Sequence, residues 1–310
     1  MRLAYLILAH KSPGQLQRLI CRLSNSNADV FIHIDQKAED KTVFFNISSL
    51  YKNVFFIKQP VDVKWGGFSM IKATLNSLAE IVEYGVYDYV NLLSGLDYPI
   101  KSNKEITKFF AENNGREFIY YRENPSPDLP LGGSDRFGYY YDYDNTVAYK
   151  NEYELEMKAR NIKRSFIHGM RPYHGSQWWS LTGRCIDYLL NTVVSNKELI
   201  NYYRYTKFPD EQFFQTIIMN SEFARNVVNN NLRYIEWSNI NWSTVDWTTS
   251  QAHPRTLMLR DFYKLKFSGK LFARKFDENT DTAIMDVIDT LLLKYRKSKG
   301  VISSDRLYAD

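Results

Sequence analysis

Leu3-Ala4-Tyr5-Leu6-Ile7-Leu8-Ala9, closed by His10-Lys11 and followed by Ser12-Pro13-Gly14, decides the fold of this 310-residue chain. An apolar run this short, stopped by charge, reads as a strand buried on both faces. Ser12-Pro13-Gly14 then opens a helix with Leu16, Leu19, Ile20 and Leu23 on one side, and Val30–Ile34 is a second strand. The pattern repeats. Val54–Ile57 reads as a third strand, Phe68–Tyr84 as a helix with Ile71, Leu75, Leu78 and Ile81 in phase, and Tyr87–Leu93 as a fourth strand. A capped helix from Ser102 to about Asn113 and a strand over Glu117–Tyr121 extend the series. This alternation predicts an α/β fold whose mainly parallel central sheet is flanked by helices, with ligands bound beyond the carboxyl ends of the strands. Those ends carry Ala9-His10-Lys11, His33-Ile34-Asp35 and Ser94-Gly95-Leu96-Asp97.

Composition narrows the function. Lys and Arg total 40 against 35 Asp and Glu, a net charge of +5 that is too small and dispersed for nucleic acid but permits an anionic small ligand. Aromatic residues make up 15% of the chain, and flat amphipathic rings suit sugars and bases as well as cores. Cys21 and Cys185 are far apart and outside any metal-ligand spacing, so reduced, packed thiols are expected. No G-x-G-x-x-G follows the first strand and no Walker sequence occurs, which disfavours dinucleotide oxidoreductases and simple NTPases. The start has no cleavage pattern, and no run approaches the roughly 18–20 apolar residues that span a bilayer. A cytoplasmic, soluble protein is the expectation.

The second half supplies the chemistry. Phe208-Pro209-Asp210-Glu211-Gln212-Phe213-Phe214 reads as a helix start with Pro209 at the first position, placing Asp210 and Glu211 at a positive helix end. Gly175-Ser176-Gln177-Trp178-Trp179 lies upstream; His253-Pro254-Arg255 and Phe272-Ala273-Arg274-Lys275-Phe276-Asp277 lie downstream. A carboxylate, aromatic walls and clustered cations are the parts of a site that transfers a group from an anionic donor. Between them, Asn124–Ser134 reads as a loop, Arg136–Tyr141 is Tyr-rich and Glu152–Asn161 is helical; acceptor recognition is assigned to this middle segment. A helix over Ile186–Val194, an aromatic, short-stranded stretch over Asn231–Trp247 and a closing helix over Asp281–Lys297 complete the reading.

Taken together, Ala9-His10-Lys11, Phe31–Ala38, Trp65-Gly66-Gly67-Phe68-Ser69, Asn91–Ile100, Gly175–Trp179, Pro209-Asp210-Glu211 and Leu271–Asp277 resemble the core-2/I-branching N-acetylglucosaminyltransferases and peptide O-xylosyltransferases, the family 14 inverting glycosyltransferases. Seven pieces fall in order over residues 3–277, with roughly 116–170 poorly matched. The resemblance implies one GT-A catalytic domain over residues 1–310: a Rossmann-like nucleotide-sugar-binding half over about 1–115 and an acceptor-binding half over about 116–310. It implies a UDP-sugar donor, with N-acetylglucosamine first and xylose as the alternative, and a saccharide or glycoconjugate acceptor. A non-catalytic carbohydrate-binding protein is the competing class.

By the same resemblance Glu211 is the general base, with Asp210 as the fallback. Arg255, Arg274 and Lys275 neutralise the departing diphosphate, so that no cofactor and no divalent metal is required. Ala9, His10, Asp35 and Asp97 bind the donor at strand ends, and Trp65 with Gly66 closes over it. His10 and His33 read equally as packed imidazoles. Trp237, Trp178, Trp179 and Arg136 are the acceptor candidates. Asp142-Tyr143-Asp144 spells the Asp-x-Asp of metal-dependent relatives but lies away from the expected phosphate position and is taken as accidental. The animal enzymes carry membrane anchors and disulfides that this chain lacks, which favours an enzyme of cytoplasmic, lipid-linked saccharides. The basic stretches Lys264–Lys275 and Lys294–Lys299 suit peripheral contact with an anionic membrane.

Overall fold

The alternating pattern of the first hundred residues is present in the computed structural model, which describes residues 1–39, 41–47, 51–126, 133–145, 152–159, 161–237 and 253–294. In chain order the strands and α-helices are β1 (Leu3–Ala9), α1 (Pro13–Leu23), β2 (Ala28–Ile34), α2 (Lys41–Phe45), β3 (Val54–Phe56), α3 (Ser69–Tyr84), β4 (Tyr89–Ser94), β5 (Asp97–Pro99), α4 (Asn103–Glu112), β6 (Glu117–Glu123), α5 (Ser134–Gly138), α6 (Glu152–Ala159), β7 (Tyr173–Thr182), α7 (Gly183–Ser195), α8 (Lys197–Arg204), α9 (Phe213–Met219), β8 (Val227–Val228), β9 (Arg233–Ile235), α10 (Phe262–Phe267), β10 (Phe272–Arg274) and α11 (Ala283–Val287).

Seven strands form one sheet in the order β3-β2-β1-β4-β7-β6-β8. The pairs β3–β2, β2–β1, β1–β4 and β6–β8 are parallel, while β7 runs against both neighbours. The sheet draws β6, β7 and β8 from beyond residue 115, so both halves of the chain share one layer. A second sheet, β5-β10-β9, joins residues 97–99 to 233–235 and 272–274.

The apolar run of β1 is continuous because both of its faces are covered. Leu3, Tyr5, Ile7 and Ala9 pack with α1 residues and with Phe272 and Ile284 on one side. Ala4 and Leu6 pack with residues of α3, α7 and α9 on the other. Ser102 caps α4 in a reciprocal capping box with Glu105, as its sequence predicts. The closing helix is shorter than expected: α11 gives way to a π-helical turn at Ile288–Leu292, Leu293 and Lys294 are not helical, and the stretches 238–247 and 295–299 lie outside the described residues.

That π turn delivers Asp289 to a buried knot. Arg22 Nε donates to Asp289 Oδ1 at 2.7 Å, Arg18 Nη2 to Oδ2 at 2.8 Å and the Tyr98 hydroxyl to Oδ1 at 2.7 Å. Burial alone would raise the Asp289 carboxyl, but the hydrogen bonds from Arg22 and Tyr98 and the two guanidinium charges hold it below the usual carboxylate range. Its contribution to stability is therefore present above the unfolded value near ~3.9 and lost as pH falls through the lower folded value. An Asp289→Ala variant strands two partly buried arginines, and urea unfolding at neutral pH is expected to show a loss of about 3–5 kcal/mol. The deficit should shrink as the comparison is repeated at progressively lower pH; a constant deficit would deny the knot its electrostatic character.

Candidate active site

The carboxyl ends of β1, β2 and β4 form the floor of the predicted site, at the place where the chain order β2-β1-β4 reverses direction across the sheet. Ala9 is buried and its carbonyl accepts the Asp35 N–H at 2.9 Å. Gly95 N–H donates to the Leu8 carbonyl at 2.9 Å, and a Cβ at Gly95 would lie 3.1 Å from the Ala9 Cβ, so the turn after β4 closes tightly on β1. Gln15, buried in α1, donates to the carbonyls of Gly95 and Phe276 at 3.3 and 3.1 Å and accepts the Glu278 N–H at 2.8 Å. This one amide fastens the cation-bearing segment over the floor.

Arg274 is set by sheet register. β10 lies between β5 and β9, and Arg274 is paired across the ladder with Asp97. Asp97 has no exposed surface; its Oδ1 accepts the Ser94 hydroxyl at 2.8 Å and lies 3.7 Å from Arg274 Nε. The Arg274 guanidinium carbon stands 4.2 Å from the centre of the Trp178 ring, and its buried Nε and Nη1 have no hydrogen-bond partner. Beneath them, Arg233 donates to the carbonyls of Leu92, Trp179 and Asn231 and to the Ser180 hydroxyl.

The electrostatics follow from this crowding. Burial raises the Asp97 carboxyl, against the pull of Arg274. Burial pushes Arg233 down to about 9 and also lowers Arg274, with Asp97 opposing both shifts. Lys275 is lowered by burial and then by the charges of Arg274 and Lys11. The Arg274 charge lowers both Arg233 and Lys275, and cations crowded in this way mark a positive field suited to an anion. Arg255 does not share in it. Its two guanidinium arms grip Asp261 at 2.9 and 2.8 Å, with Glu236 at 3.7 Å, so its charge is already matched.

An aromatic chain links the cations to the carboxylates. The His253 imidazole, lowered by burial and by Lys275 and Arg274, lies 5.8 Å from Trp65, and Trp65 meets Phe208 edge-on at 4.7 Å. Trp65 remains 47% exposed. Gly66 adopts φ 76°, and its carbonyl accepts the Phe208 N–H at 3.1 Å; a Cβ there would meet the Phe208 ring at 3.0 Å. Tyr143 packs on the other side of Phe208 at 6.0 Å. Arg136 reaches over Phe208 at 5.3 Å and donates through Nη1 to Glu211 Oε2 at 2.6 Å.

Several expectations change. Pro209 opens only a short 3₁₀ turn, Pro209–Glu211, after Phe208 takes a left-handed conformation; α9 starts at Phe213 because Gln212 turns its amide back to the carbonyls of Lys207 and Phe208. Glu211 is therefore held by a turn and by Arg136 rather than by a helix end. Trp179 has no exposed surface and packs on Phe214, so it cannot meet an acceptor; Trp178 is 8% exposed and serves Arg274 as a platform. Both indoles belong to one hydrophobic cluster, and the ladder of β7 with β6 is irregular between Gly175 and Trp179. His33 accepts the Val61 N–H at Nε2 and is a packed structural imidazole, lowered by burial. His10 is exposed beside the floor, Asp35 is buried and accepts the Lys37 N–H at 3.0 Å, and Trp237 is partly buried just beyond β9.

In the Asp142-Tyr143-Asp144 segment, Asp144 accepts the Ser69 N–H at 3.0 Å and the Ser69 hydroxyl at 2.6 Å at the start of α3. A cavity of about 470 Å³ opens at the opposite, amino edge of the sheet and is lined by none of the predicted residues. Its buried carboxylate, Glu117, is already bound by the Thr182 N–H and hydroxyl at 2.8 and 2.6 Å, so the carboxyl edge carries the assembled chemistry. Gln15, Arg233, Phe208 and His253 were missed as site residues; a glutamine beside the apolar stripe of α1 and an arginine in a short aromatic strand were the available signals.

Cations, carboxylates and aromatic rings thus gather at the carboxyl edge of a mainly parallel α/β sheet. The chain belongs to the Core-2/I-Branching enzyme family, whose profile matches residues 3–267. It is 26% identical to human Xylosyltransferase 2, over 93% of this chain and 33% of that protein. It is 28% identical to human N-acetyllactosaminide beta-1,6-N-acetylglucosaminyl-transferase, over 90% of this chain and 69% of the relative. A mouse beta-1,3-galactosyl-O-glycosyl-glycoprotein beta-1,6-N-acetylglucosaminyltransferase 4 is 24% identical over 99% of this chain and 69% of its own. The chain thus spans about a third of the length of the xylosyltransferases it matches. Among solved structures, apo mouse Xyloside xylosyltransferase 1 covers 78% of this chain and 91% of its own, with 11% identity and a TM-score of 0.37.

The carboxylate pair offers a direct check. Burial and the adjacent Glu211 charge push the Asp210 carboxyl up to about 7, and Arg136 restrains that rise. Replacing Arg136 with Gln is expected to move the Asp210 titration to higher pH, read by carboxyl carbon NMR of labelled protein. A titration that stays put, or moves down, would remove Arg136 from the electrostatics of the pair.

Proposed function

We propose that the protein transfers a sugar from a UDP-sugar to a hydroxyl of a saccharide or glycoconjugate acceptor, with inversion and without a divalent metal. The observation that carries this reading is the run of contacts from His253, within the field of Arg274 and Lys275, through Trp65 and Phe208 to Arg136 and the Glu211 carboxylate. The Glu211 side chain, 40% exposed, takes the proton of the attacking hydroxyl as the glycosyl bond to the diphosphate breaks on the opposite face of the sugar. Arg274, with unpaired donors and a fixed platform, and Lys275 stabilise the charge released on UDP. Arg255 acts through Asp261 and Glu236 rather than on the diphosphate. Ala9, His10, Asp35, Trp65 and Gly66 form the donor side; Asp97, which has no exposed surface, acts through Arg274 instead of touching the donor, and Arg136 and Trp237 flank the acceptor. The cytoplasmic setting belongs to the same proposal.

N-acetylglucosamine is the first donor to test, and UDP-xylose the second because Xylosyltransferase 2 is among the relatives matched over nearly the whole chain. A panel of UDP-sugars assayed in EDTA ranks the two and separates a transferase from a carbohydrate binder. Turnover that appears only on adding manganese would defeat the metal-free scheme.

Two substitutions divide the roles. Glu211→Gln should cut turnover by roughly 10²–10⁴ while UDP affinity by calorimetry stays near that of the unmodified protein. Arg274→Met should weaken UDP binding by about 1.5–3 kcal/mol, roughly ten- to hundredfold, through loss of charged hydrogen bonds. Unchanged UDP affinity in the second variant would take Arg274 out of the donor site.

A further inference from the structure

The short helix α10 is apolar on two sides. Phe262 and Leu265 are buried, 6% and 1% exposed, and fix the helix to the core. Leu259, Tyr263 and Phe267, spaced by four residues, face outward at 46%, 68% and 75% exposed, with the Tyr263 and Phe267 rings nearly parallel at 6.5 Å. A surface helix ordinarily turns polar residues outward, and single exposed apolar side chains need no explanation; a row of three does.

The charges around this row select what covers it. Exposed Arg260, Lys264 and Lys266 interleave with the three apolar residues, and Lys266 lies 5.4 Å from the Phe267 ring. The nearby acids are engaged: Asp261 is buried and held by Arg255, Glu236 is buried and accepts Lys264 Nζ at 3.0 Å, and Asp281 accepts the Leu259 N–H at 2.8 Å. Aromatic and leucine side chains within a cationic rim are complementary to the boundary between acyl chains and anionic headgroups, where rings insert shallowly and Lys and Arg meet phosphates. No helix among the described residues is long and apolar enough to cross a membrane, so the contact this patch makes is at a surface.

We propose that Leu259, Tyr263 and Phe267 form a wedge, rimmed by Arg260, Lys264 and Lys266, that seats the protein on an anionic lipid bilayer. The Lys264–Glu236–Arg255 ion pairs connect the wedge to the edge of the candidate site, so the seated protein presents that edge close to the lipid surface. Docking is independent of the transfer chemistry and is read without any sugar.

The test floats the full chain with vesicles of phosphatidylcholine alone and of phosphatidylcholine with an equal part of phosphatidylglycerol. The anionic vesicles are expected to retain the protein at least ~tenfold better, with the difference fading at high salt. A Tyr263→Ser, Phe267→Ser double variant should lose at least ~tenfold of that binding with an unchanged melting temperature and unchanged UDP affinity, because both side chains are largely exposed. A Lys266→Glu variant should weaken binding to the anionic vesicles alone. Absence of flotation by the unmodified protein, or equal flotation of the double variant, overturns the proposal. Capture by soluble polyglutamate without flotation also overturns it and assigns the face to an acidic protein.

Discussion

Asp97 opens the edge strand β5 of the small β5-β10-β9 sheet, with no exposed surface and under the charges of two guanidinium groups. One negative charge against two positive ones in a low-dielectric setting leaves a surplus that bulk water cannot screen, and such an arrangement is costly unless each ion is well bonded. The two arginines resolve this differently. Arg233 directs its donors to the carbonyls of Leu92, Trp179 and Asn231 and to Ser180, tying β4, β7 and the approach to β9 together. Arg274 retains buried donors without partners and leans on an indole face. Arg233 thus leaves only its Nε unpartnered among the described residues, whereas Arg274 leaves both Nε and Nη1 so.

The rest of the donor side is arranged around keeping Arg274 in place. The register of β10 against β5 fixes its height, Gln15 ties the following residues to the turn after β4, and the absence of a side chain at Gly95 lets that turn sit on Ala9. A shift of β10 by one residue would send Arg274 to the opposite face of its strand.

Legibility in the sequence divides along physical lines. β1 to β4 and their helices could be read because burial on both faces produces unbroken apolar runs, and α4 because its capping box is local. The two- and three-residue strands β8 and β5 could not, since only distant partners make them strands, whereas β9 falls within the short-stranded stretch read over Asn231–Trp247. The break at Gln212 was invisible because it depends on a glutamine side chain competing for the carbonyls that a continuing helix would use. Trp179 was misjudged because what covers it, Phe214 of α9, is distant in sequence. The partner of Glu211 lies 75 residues away in the stretch that matched the family least, whereas Asp261 stands only six residues from Arg255 and its claim on that guanidinium was within local reach.

The carboxylate side poses the reverse electrostatic problem. A base must be ionised before it can take a proton, and two adjacent acids oppose each other's ionisation. Burial and the Glu211 charge keep the Asp210 proton in place up to about neutral pH, while the Arg136 guanidinium bonds Glu211 at Oε2. Arg136 is itself held charged by Glu211 against the effect of its own burial, so guanidinium and base support one protonation pattern. In the proposed reaction the pattern has a use beyond orientation. When Glu211 accepts the acceptor proton its charge disappears and the repulsion on Asp210 falls. The pair can then shed its extra proton from a carboxyl poised near neutral pH, and it regains its starting charge without rearranging the aromatic wall.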